Sequence, residues 1–174
     1  EVRVFDPAAD AKAKFDAVLA NADRAYASLT NTPRGTKAAV SWHASAADAT
    51  EGSQLIIESV PERPDIKRVV YAEIETSAAS DAIITSSTSG IMPSELQAEM
   101  AHPERLMVAH PFNPVYLLPL VELVAGNQTD AKYIEWGKTF FSGIGMHPLH
   151  CRVEIEGFLS DRLQEALWRE ALWL

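Results

Sequence analysis

The sequence of 174 residues contains a single cysteine, which excludes an internal disulfide framework. One cysteine suits a reducing compartment, so we expect a cytoplasmic protein. Basic residues are also scarce: 15 Lys and Arg stand against 24 Asp and Glu, and the net charge is −9. This balance argues against a nucleic-acid partner, because phosphate binding needs clustered Lys and Arg.

Long apolar runs are absent as well. No segment approaches the roughly 20 apolar residues that a membrane-spanning helix requires, and no signal-peptide pattern is visible, so we expect no membrane partner. Hydrophobic residues make up 47% and charged residues 22% of the chain, values typical of a soluble globular domain. The sequence begins without Met in a strand pattern and closes in a helical pattern, so we expect it to be a piece of a longer protein.

Strand and helix patterns alternate along the chain with short connections. The predicted strands are Val2–Phe5, Ala38–Trp42, Gln54–Glu58, Ala82–Thr85, Leu106–Ala109, Leu120–Val124 and Met146–Val153. The predicted helices are Ala8–Leu29 (broken by Asn31–Gly35), Ser45–Ala49, Pro64–Glu75, Pro93–Met100, Tyr133–Phe141 (stopped by Gly143) and a last amphipathic helix from Gly157 onward. This alternation predicts an α/β fold with a doubly wound, mostly parallel sheet.

The most informative segment is Met107–Gly126, MVAHPFNPVYLLPLVELVAG. His110 ends one apolar run, and Glu122 interrupts the next. A carboxylate on an apolar element needs a partner, and an acid that holds an imidazole is the usual way to orient a histidine base. A solvated Glu near a surface His is the alternative, and the spacing alone leaves both interpretations open.

Three ordered blocks of sequence carry a resemblance that covers nearly the whole chain. They are SSTSGIMPSEL (Ser86–Leu96), HPFNPVYLLPLVEL (His110–Leu123) and GFLSDRLQEALWREAL (Gly157–Leu172). These three blocks resemble the sequences of the L-3-hydroxyacyl-CoA dehydrogenase family. The resemblance implies a Rossmann-like NAD-binding domain over residues 1–155, without its first strand and glycine loop, and the first helix of an all-α C-terminal domain over residues 156–174. It also implies a homodimer for the full-length protein.

The resemblance implies roles for four catalytic residues. His110 would be the general base and Glu122 its orienting partner. Asn113 and Ser89 would hold the substrate oxygen and position the ring. A serine nucleophile is not indicated at Ser89, because the segment lacks the preceding glycine of a G-x-S-x-G elbow.

Four further residues are predicted to bind the cofactor, NAD. Asp6 ends a strand, where a Rossmann fold places the acid that binds the adenine ribose, and an acid there disfavours the 2′-phosphate of NADP. Without the resemblance, Asp6 could equally be a helix cap. The resemblance implies Glu62 and Lys67 near the nicotinamide ribose, with an exposed ion pair as the alternative. Ser87 is predicted to hydrogen bond to the cofactor.

Within that family, the three blocks are most similar to the branch that acts on L-carnitine. The resemblance therefore implies oxidation of the 3-hydroxyl of L-carnitine to give 3-dehydrocarnitine. An L-3-hydroxyacyl-CoA is the alternative substrate, although Asp161 stands where that branch usually carries Asn. An inert dinucleotide-binding homologue is the alternative of a different class. A quaternary ammonium favours an aromatic surface, for which Phe112, Tyr116 and Trp168 are candidates, with plain packing as their other interpretation.

The remaining His and Cys residues do not indicate a metal site. The cluster His147, His150 and Cys151 lacks further ligands at recognisable spacing. Gly143-Ile-Gly145 follows a helix rather than a strand and lacks a third glycine, so it is interpreted as a helix stop instead of a phosphate loop.

Overall fold

The computed structural model describes residues 1–29 and 36–174, so the predicted break at Asn31–Gly35 lies outside the described residues. The strands are β1 (Val2–Val4), β2 (Val40–Trp42), β3 (Leu55–Glu58), β4 (Ile83–Ser86), β5 (Leu106–Pro111), β6 (Leu120–Ala125) and β7 (His147–Cys151). The helices are α1 (Ala11–Ser28), α2 (Ala46–Thr50), α3 (Pro64–Glu75), α4 (Pro93–Gln97), α5 (Ala131–Gly143) and α6 (Ser160–Trp173), with a 3₁₀ turn at Pro103–Arg105. The predicted α/β alternation is confirmed, with boundaries shifted by a few residues.

Five strands form one sheet in the order β3-β4-β5-β6-β7, and β1 and β2 form a separate parallel pair. Within the larger sheet β3, β4 and β5 are parallel, β6 is antiparallel to β5, and β7 is parallel to β6. The predicted mostly parallel, Rossmann-like topology is confirmed, but the strands lie in two sheets. Among the described residues, no strand pairs with both β1 and β3.

The larger sheet is covered on both faces because its strands alternate apolar side chains between them. Ile84 packs with Tyr71 and Ile74 of α3 and Leu96 of α4 on one face. Ile83, the next residue of β4, packs on the other face with residues of α5. Along β5 the same alternation holds: the side chain of Met107 packs with α5, and that of its neighbour Val108 packs with Phe158 on the opposite face. This two-residue period places His110 on the face of Val108.

The last helix, α6, differs from the others in having no buried residue. Its apolar side chains Leu163, Leu167, Leu172 and Trp173 are all exposed. None of the described helices combines the length and the apolar composition needed to cross a membrane.

Candidate active site

His110 and Glu122 face each other across two antiparallel strands. They are directly paired in the register of β5 and β6, and Nδ1 of His110 lies 2.9 Å from Oε2 of Glu122. His110 is 6% exposed and Glu122 is 0% exposed. The residues predicted to be the base and its orienting acid therefore form a buried pair. Their burial excludes the alternative of a solvated Glu near a surface His.

Glu122 is held as an anion. Burial raises the pKa of its carboxyl, but hydrogen bonds from His110, Ser160 and Leu159 outweigh burial, and the net pKa lies below the ordinary value for Glu. An ionised carboxylate only accepts hydrogen bonds, so Nδ1 of His110 must carry the proton and donate it. In a neutral imidazole this leaves Nε2 as the acceptor nitrogen.

The second oxygen of Glu122 holds the beginning of α6. Oε1 accepts from the backbone N–H of Leu159 at 3.0 Å and from that of Ser160 at 2.9 Å. The Ser160 hydroxyl donates to the same oxygen at 3.1 Å. One carboxylate thus connects the histidine on β5 with the start of the last helix. Neither Leu159 nor Ser160 was predicted from the sequence to be a site residue.

A left-handed turn brings that helix start to the site. Gly157 has a φ of 68° and Phe158 a φ of 46°, a conformation that few residues other than glycine adopt. The turn buries Phe158 completely, with its ring 5.8 Å from the His110 ring between centroids. The sequence signal that could have revealed this is Gly157 itself, directly before the aromatic residue and the helical pattern.

A second aromatic ring lies beside the histidine. The centroid of Phe112 is 4.9 Å from that of His110, and the two planes are inclined by 54°. Phe112 is half-buried, so one part of it packs on His110 and another part is accessible. Among the three aromatic residues predicted to receive a cation, Phe112 is thus in direct contact with the predicted base.

The other two aromatic candidates lie elsewhere. Tyr116 is half-buried in the segment between β5 and β6. Trp168 is 59% exposed on α6, eight residues beyond Ser160. At the helical rise per residue, this separation along the axis is about 12 Å. Trp168 therefore lies well outside the cluster around His110 within the described chain.

Lys67 and Glu58 form a buried ion pair at the carboxyl end of β3. Nζ of Lys67 donates to the two carboxylate oxygens of Glu58 at 2.8 and 3.1 Å, and also to the carbonyl of Val60 at 3.3 Å. Lys67 is 1% exposed, and its Nζ lies 3.4 Å from Glu62. Lys67 and Glu62 are neighbours, but they do not form the exposed pair considered from the sequence, because Lys67 is buried and bound by Glu58.

Glu62 organises the loop that follows β4. Its Oε1 accepts from the Thr88 hydroxyl and from the backbone N–H groups of Ser89 at 3.2 Å and Gly90 at 3.4 Å. Burial raises the pKa of Glu62, but the Thr88 hydrogen bond and the Lys67 charge outweigh it, so the pKa lies below the ordinary value. Glu62 therefore shapes the backbone around Ser89. This contact was not predicted.

The remaining predicted residues lie at the carboxyl ends of parallel strands. Asp6 follows β1, is exposed, and accepts a hydrogen bond from the N–H of Ala8 at 2.8 Å. It does not cap α1, because Asp10 occupies that position. Ser87 shares a hydrogen bond with Ser59 at 3.0 Å between hydroxyl oxygens. Ser89 and Asn113 are exposed beyond β4 and β5, which are neighbouring parallel strands.

Metal ligands do not converge in the described part of the chain. No group of three or more His, Cys, Asp or Glu side chains there is arranged to hold a metal ion. Cys151 lies on β7 with Sγ 3.8 Å from Oε1 of Glu122, and burial, together with the charge of Glu122, raises the pKa of its thiol to about 11.

Comparison with solved structures supports the fold. An NAD⁺-dependent dismutase, a 5-dehydrogenase of 5-formyl-3-hydroxy-2-methylpyridine 4-carboxylic acid, superposes with a TM-score of 0.91 at 32% identity, covering 99% of this chain and 56% of that chain. A (S)-3-hydroxybutyryl-CoA dehydrogenase from Ralstonia eutropha superposes with a TM-score of 0.86 at 25% identity, covering 98% of this chain and 61% of that chain.

Sequence comparison finds closer relatives. A Rhizobium sp protein named L-carnitine dehydrogenase/betainyl-CoA thioesterase is 52% identical over this whole chain, which spans 35% of that protein. An L-carnitine dehydrogenase of Pseudomonas putida is 46% identical over the whole chain, which spans 54% of its length. The chain thus covers about a third to a half of these relatives. A family model described as "3-hydroxyacyl-CoA dehydrogenase, NAD binding domain" matches residues 1–155, and the chain belongs to this NAD-binding family.

Proposed function

We propose that the protein oxidises the 3-hydroxyl of L-carnitine to the ketone with NAD. The observation that carries the proposal is the buried hydrogen bond of 2.9 Å between Nδ1 of His110 and Oε2 of Glu122. The names of the relatives from Rhizobium sp and Pseudomonas putida support L-carnitine as the substrate. Because this chain spans only part of those proteins, the activity of the whole protein is a proposal.

In this mechanism Nε2 of His110 removes the proton of the substrate hydroxyl. Glu122 keeps the proton of the neutral imidazole on Nδ1 and stabilises the imidazolium that forms, by the logic of the acid in a Ser-His-Asp triad. Phe158 and Phe112 pack against the imidazole ring and restrict its orientation. The chemistry that NAD supplies when bound is the acceptance of a hydride from C3 of the substrate.

The residues at the carboxyl ends of the strands fit a dinucleotide. In a doubly wound sheet this edge is where ligands bind. Asp6 is exposed there, and its carboxylate suits the hydroxyls of a ribose while repelling a 2′-phosphate. Glu62 remains about half exposed on its side chain while it holds the loop of residues 88–90. We propose that Asp6 and Glu62 bind the two ribose units, with Ser87 beside them and Lys67 acting through Glu62.

Ser89 and Asn113 are proposed to hold the substrate oxygen. Both are exposed after neighbouring parallel strands, and Asn113 follows His110 by three residues. The accessible part of Phe112 is the first candidate for contact with the trimethylammonium group, and Tyr116 is the alternative, because Trp168 lies well outside the cluster around His110.

The domain division remains part of the proposal. The family match ends at residue 155, which supports an NAD-binding domain over residues 1–155 and the start of a helical domain over residues 156–174. The exposed apolar side chains of α6 are consistent with a helix that packs on further helices. A homodimer and a cytoplasmic location are the other predictions that we retain from the sequence.

The direct experiment is NADH formation by the complete protein, measured at 340 nm, with L-carnitine and, in parallel, with L-3-hydroxybutyryl-CoA. We expect kcat/KM for L-carnitine to exceed that for the CoA ester by at least about 100-fold, a discrimination of about 2.7 kcal/mol. The reverse preference would establish the acyl-CoA activity instead. No turnover of either substrate, with NADH binding retained, would favour an inert dinucleotide-binding homologue.

A further inference from the structure

Ser160 contributes two hydrogen bonds to a single oxygen of Glu122. Its N–H and its hydroxyl reach Oε1 at 2.9 and 3.1 Å, whereas Oε2 of the same carboxylate faces Nδ1 of His110 at 2.9 Å. The two oxygens thus have separate partners. A carboxylate can turn about its terminal bond, so donors fixed on one oxygen also fix the direction of the other.

We propose that Ser160 is a positioning residue, whose hydroxyl holds Oε1 of Glu122 so that Oε2 stays on the predicted base, His110. This inference rests on the proposed function for its catalytic meaning. The geometry itself involves neither substrate nor cofactor.

Several groups other than the Ser160 hydroxyl also face the carboxylate of Glu122. His110 faces the carboxylate from β5, the thiol of Cys151 faces it from β7, and the N–H of Leu159 faces it from the start of α6. The two backbone N–H groups belong to the turn and remain in Ser160→Ala and Ser160→Thr. The hydroxyl is the contribution of the side chain, and a hydrogen bond to an ionised oxygen is stronger than one between neutral groups. The lowered pKa of Glu122, to which the Ser160 hydroxyl contributes, agrees with this role.

The test begins with Ser160→Ala in the complete protein. We expect kcat for L-carnitine to fall about tenfold, while KM and the Kd for NADH stay within about twofold, because the substitution affects the orientation of the base rather than binding. Ser160→Thr keeps the hydroxyl and should restore most of the activity. Unchanged kcat in Ser160→Ala would overturn the proposal.

A matched control separates positioning from general damage. Thr139 is an exposed residue of α5 whose hydroxyl donates to the carbonyl of Glu135 within the same helix. Thr139→Ala removes a helical hydroxyl of the same kind away from Glu122, and it should keep the wild-type kcat and KM. An equal loss of kcat in both variants would overturn the specific role of Ser160.

A second measurement needs no substrate. Ser160→Ala should lower the free energy of unfolding most near pH 7, and this decrease should become smaller as Glu122 is protonated at acid pH. The decrease caused by Thr139→Ala should not depend on pH. If the wild-type protein fails to oxidise L-carnitine, the proposed function fails, and this comparison still tests the contact. A loss that stays constant with pH in Ser160→Ala would overturn the proposal independently of activity.

Discussion

Lys67 and Glu58 are joined by two hydrogen bonds, of 2.8 and 3.1 Å, in a place where neither side chain is accessible to water. The same carboxylate also accepts from Tyr71 at 2.7 Å and from Ser86 at 2.7 Å. Glu58 therefore connects the end of β3 with α3 and β4. Since Lys67 also lies 3.4 Å from Glu62, this buried pair supports the residue that shapes the loop after β4.

The first prediction is that Lys67→Met destabilises the fold strongly. The substitution leaves the Glu58 carboxylate buried without its cation, and breaking a buried pair in this way costs about 3–5 kcal/mol. Urea unfolding followed by circular dichroism measures the loss. Lys12→Met is the control, because Lys12 pairs with Asp16 on the exposed side of α1 and should change little. Equal stability of the two variants would show that the buried pair contributes no more than an exposed one.

The second prediction concerns the orienting acid. Glu122→Gln keeps the shape of the side chain but removes the charge that stabilises the imidazolium, so we expect kcat to fall more than tenfold, about 1.4 kcal/mol or more. The affinity for NADH, measured by fluorescence titration, should be almost unchanged. Glu135→Gln, on the exposed side of α5, should keep wild-type kcat. A loss below tenfold in Glu122→Gln would reduce Glu122 to a packing role.

The pairing of His110 with Glu122 could be predicted from local signals taken together with the resemblance to a known family, because the local signals alone left a solvated Glu beside a surface His open. Each residue interrupts or ends an apolar run, the two runs are separated by a short segment, and an acid on an apolar strand requires a partner. The α/β alternation was predictable for the same reason, since hydrophobic period and turn residues lie within each element.

The contacts of Ser160 and Glu58 could not be predicted in this way. Ser160 lies 38 residues from Glu122 in sequence, and the pattern that begins α6 carries no information about which strand its first N–H groups will meet. Glu58 is a strand-ending acid like many others, and only the packing of α3 across the sheet shows that Lys67 and Tyr71 converge on it. The division into two sheets likewise depends on strand pairing between distant segments, which periodicity does not specify.

The third prediction is a loss of stability in acid that depends on Glu122. Its pKa is lower in the folded protein than the ordinary value of 4.5, so the folded state binds this proton less tightly than the unfolded chain. The resulting stabilisation is present above about pH 4.5 and disappears as the pH falls through the folded pKa. Thermal unfolding from pH 7 to pH 3 should therefore show a shallower decline in Glu122→Gln than in the wild type. Parallel curves would contradict the lowered pKa.

The fourth prediction is that Cys151 reacts slowly. Burial, together with the negative charge of Glu122, raises the pKa of its thiol from 9.0 to about 11, which lowers the thiolate fraction at pH 8 by about 100-fold. Iodoacetamide labelling of the peptide that contains Cys151, followed by mass spectrometry, should be at least that much slower in the native protein than in urea. Glu122→Gln should accelerate native labelling. Equal rates in native and unfolded protein would contradict the raised pKa.

The last prediction concerns the substrate's cation. Phe112 packs on His110 with ring centroids 4.9 Å apart and remains partly accessible, so its free part lies near the reacting carbon in the proposed mechanism. An aromatic face contributes about 0.5–2 kcal/mol toward a quaternary ammonium. Phe112→Leu keeps most of the bulk but removes the ring, and it should raise KM for L-carnitine by about 2- to 30-fold. A neutral 3-hydroxy acid that lacks the trimethylammonium group should show a smaller change, because it has no charge for the ring to attract.

If the substitution instead disturbs His110, kcat falls for both substrates, and equal losses would reject Phe112 as the partner of the cation. Tyr116→Leu, measured in the same pair of assays, would then test whether Tyr116 discriminates between the charged and the neutral substrate.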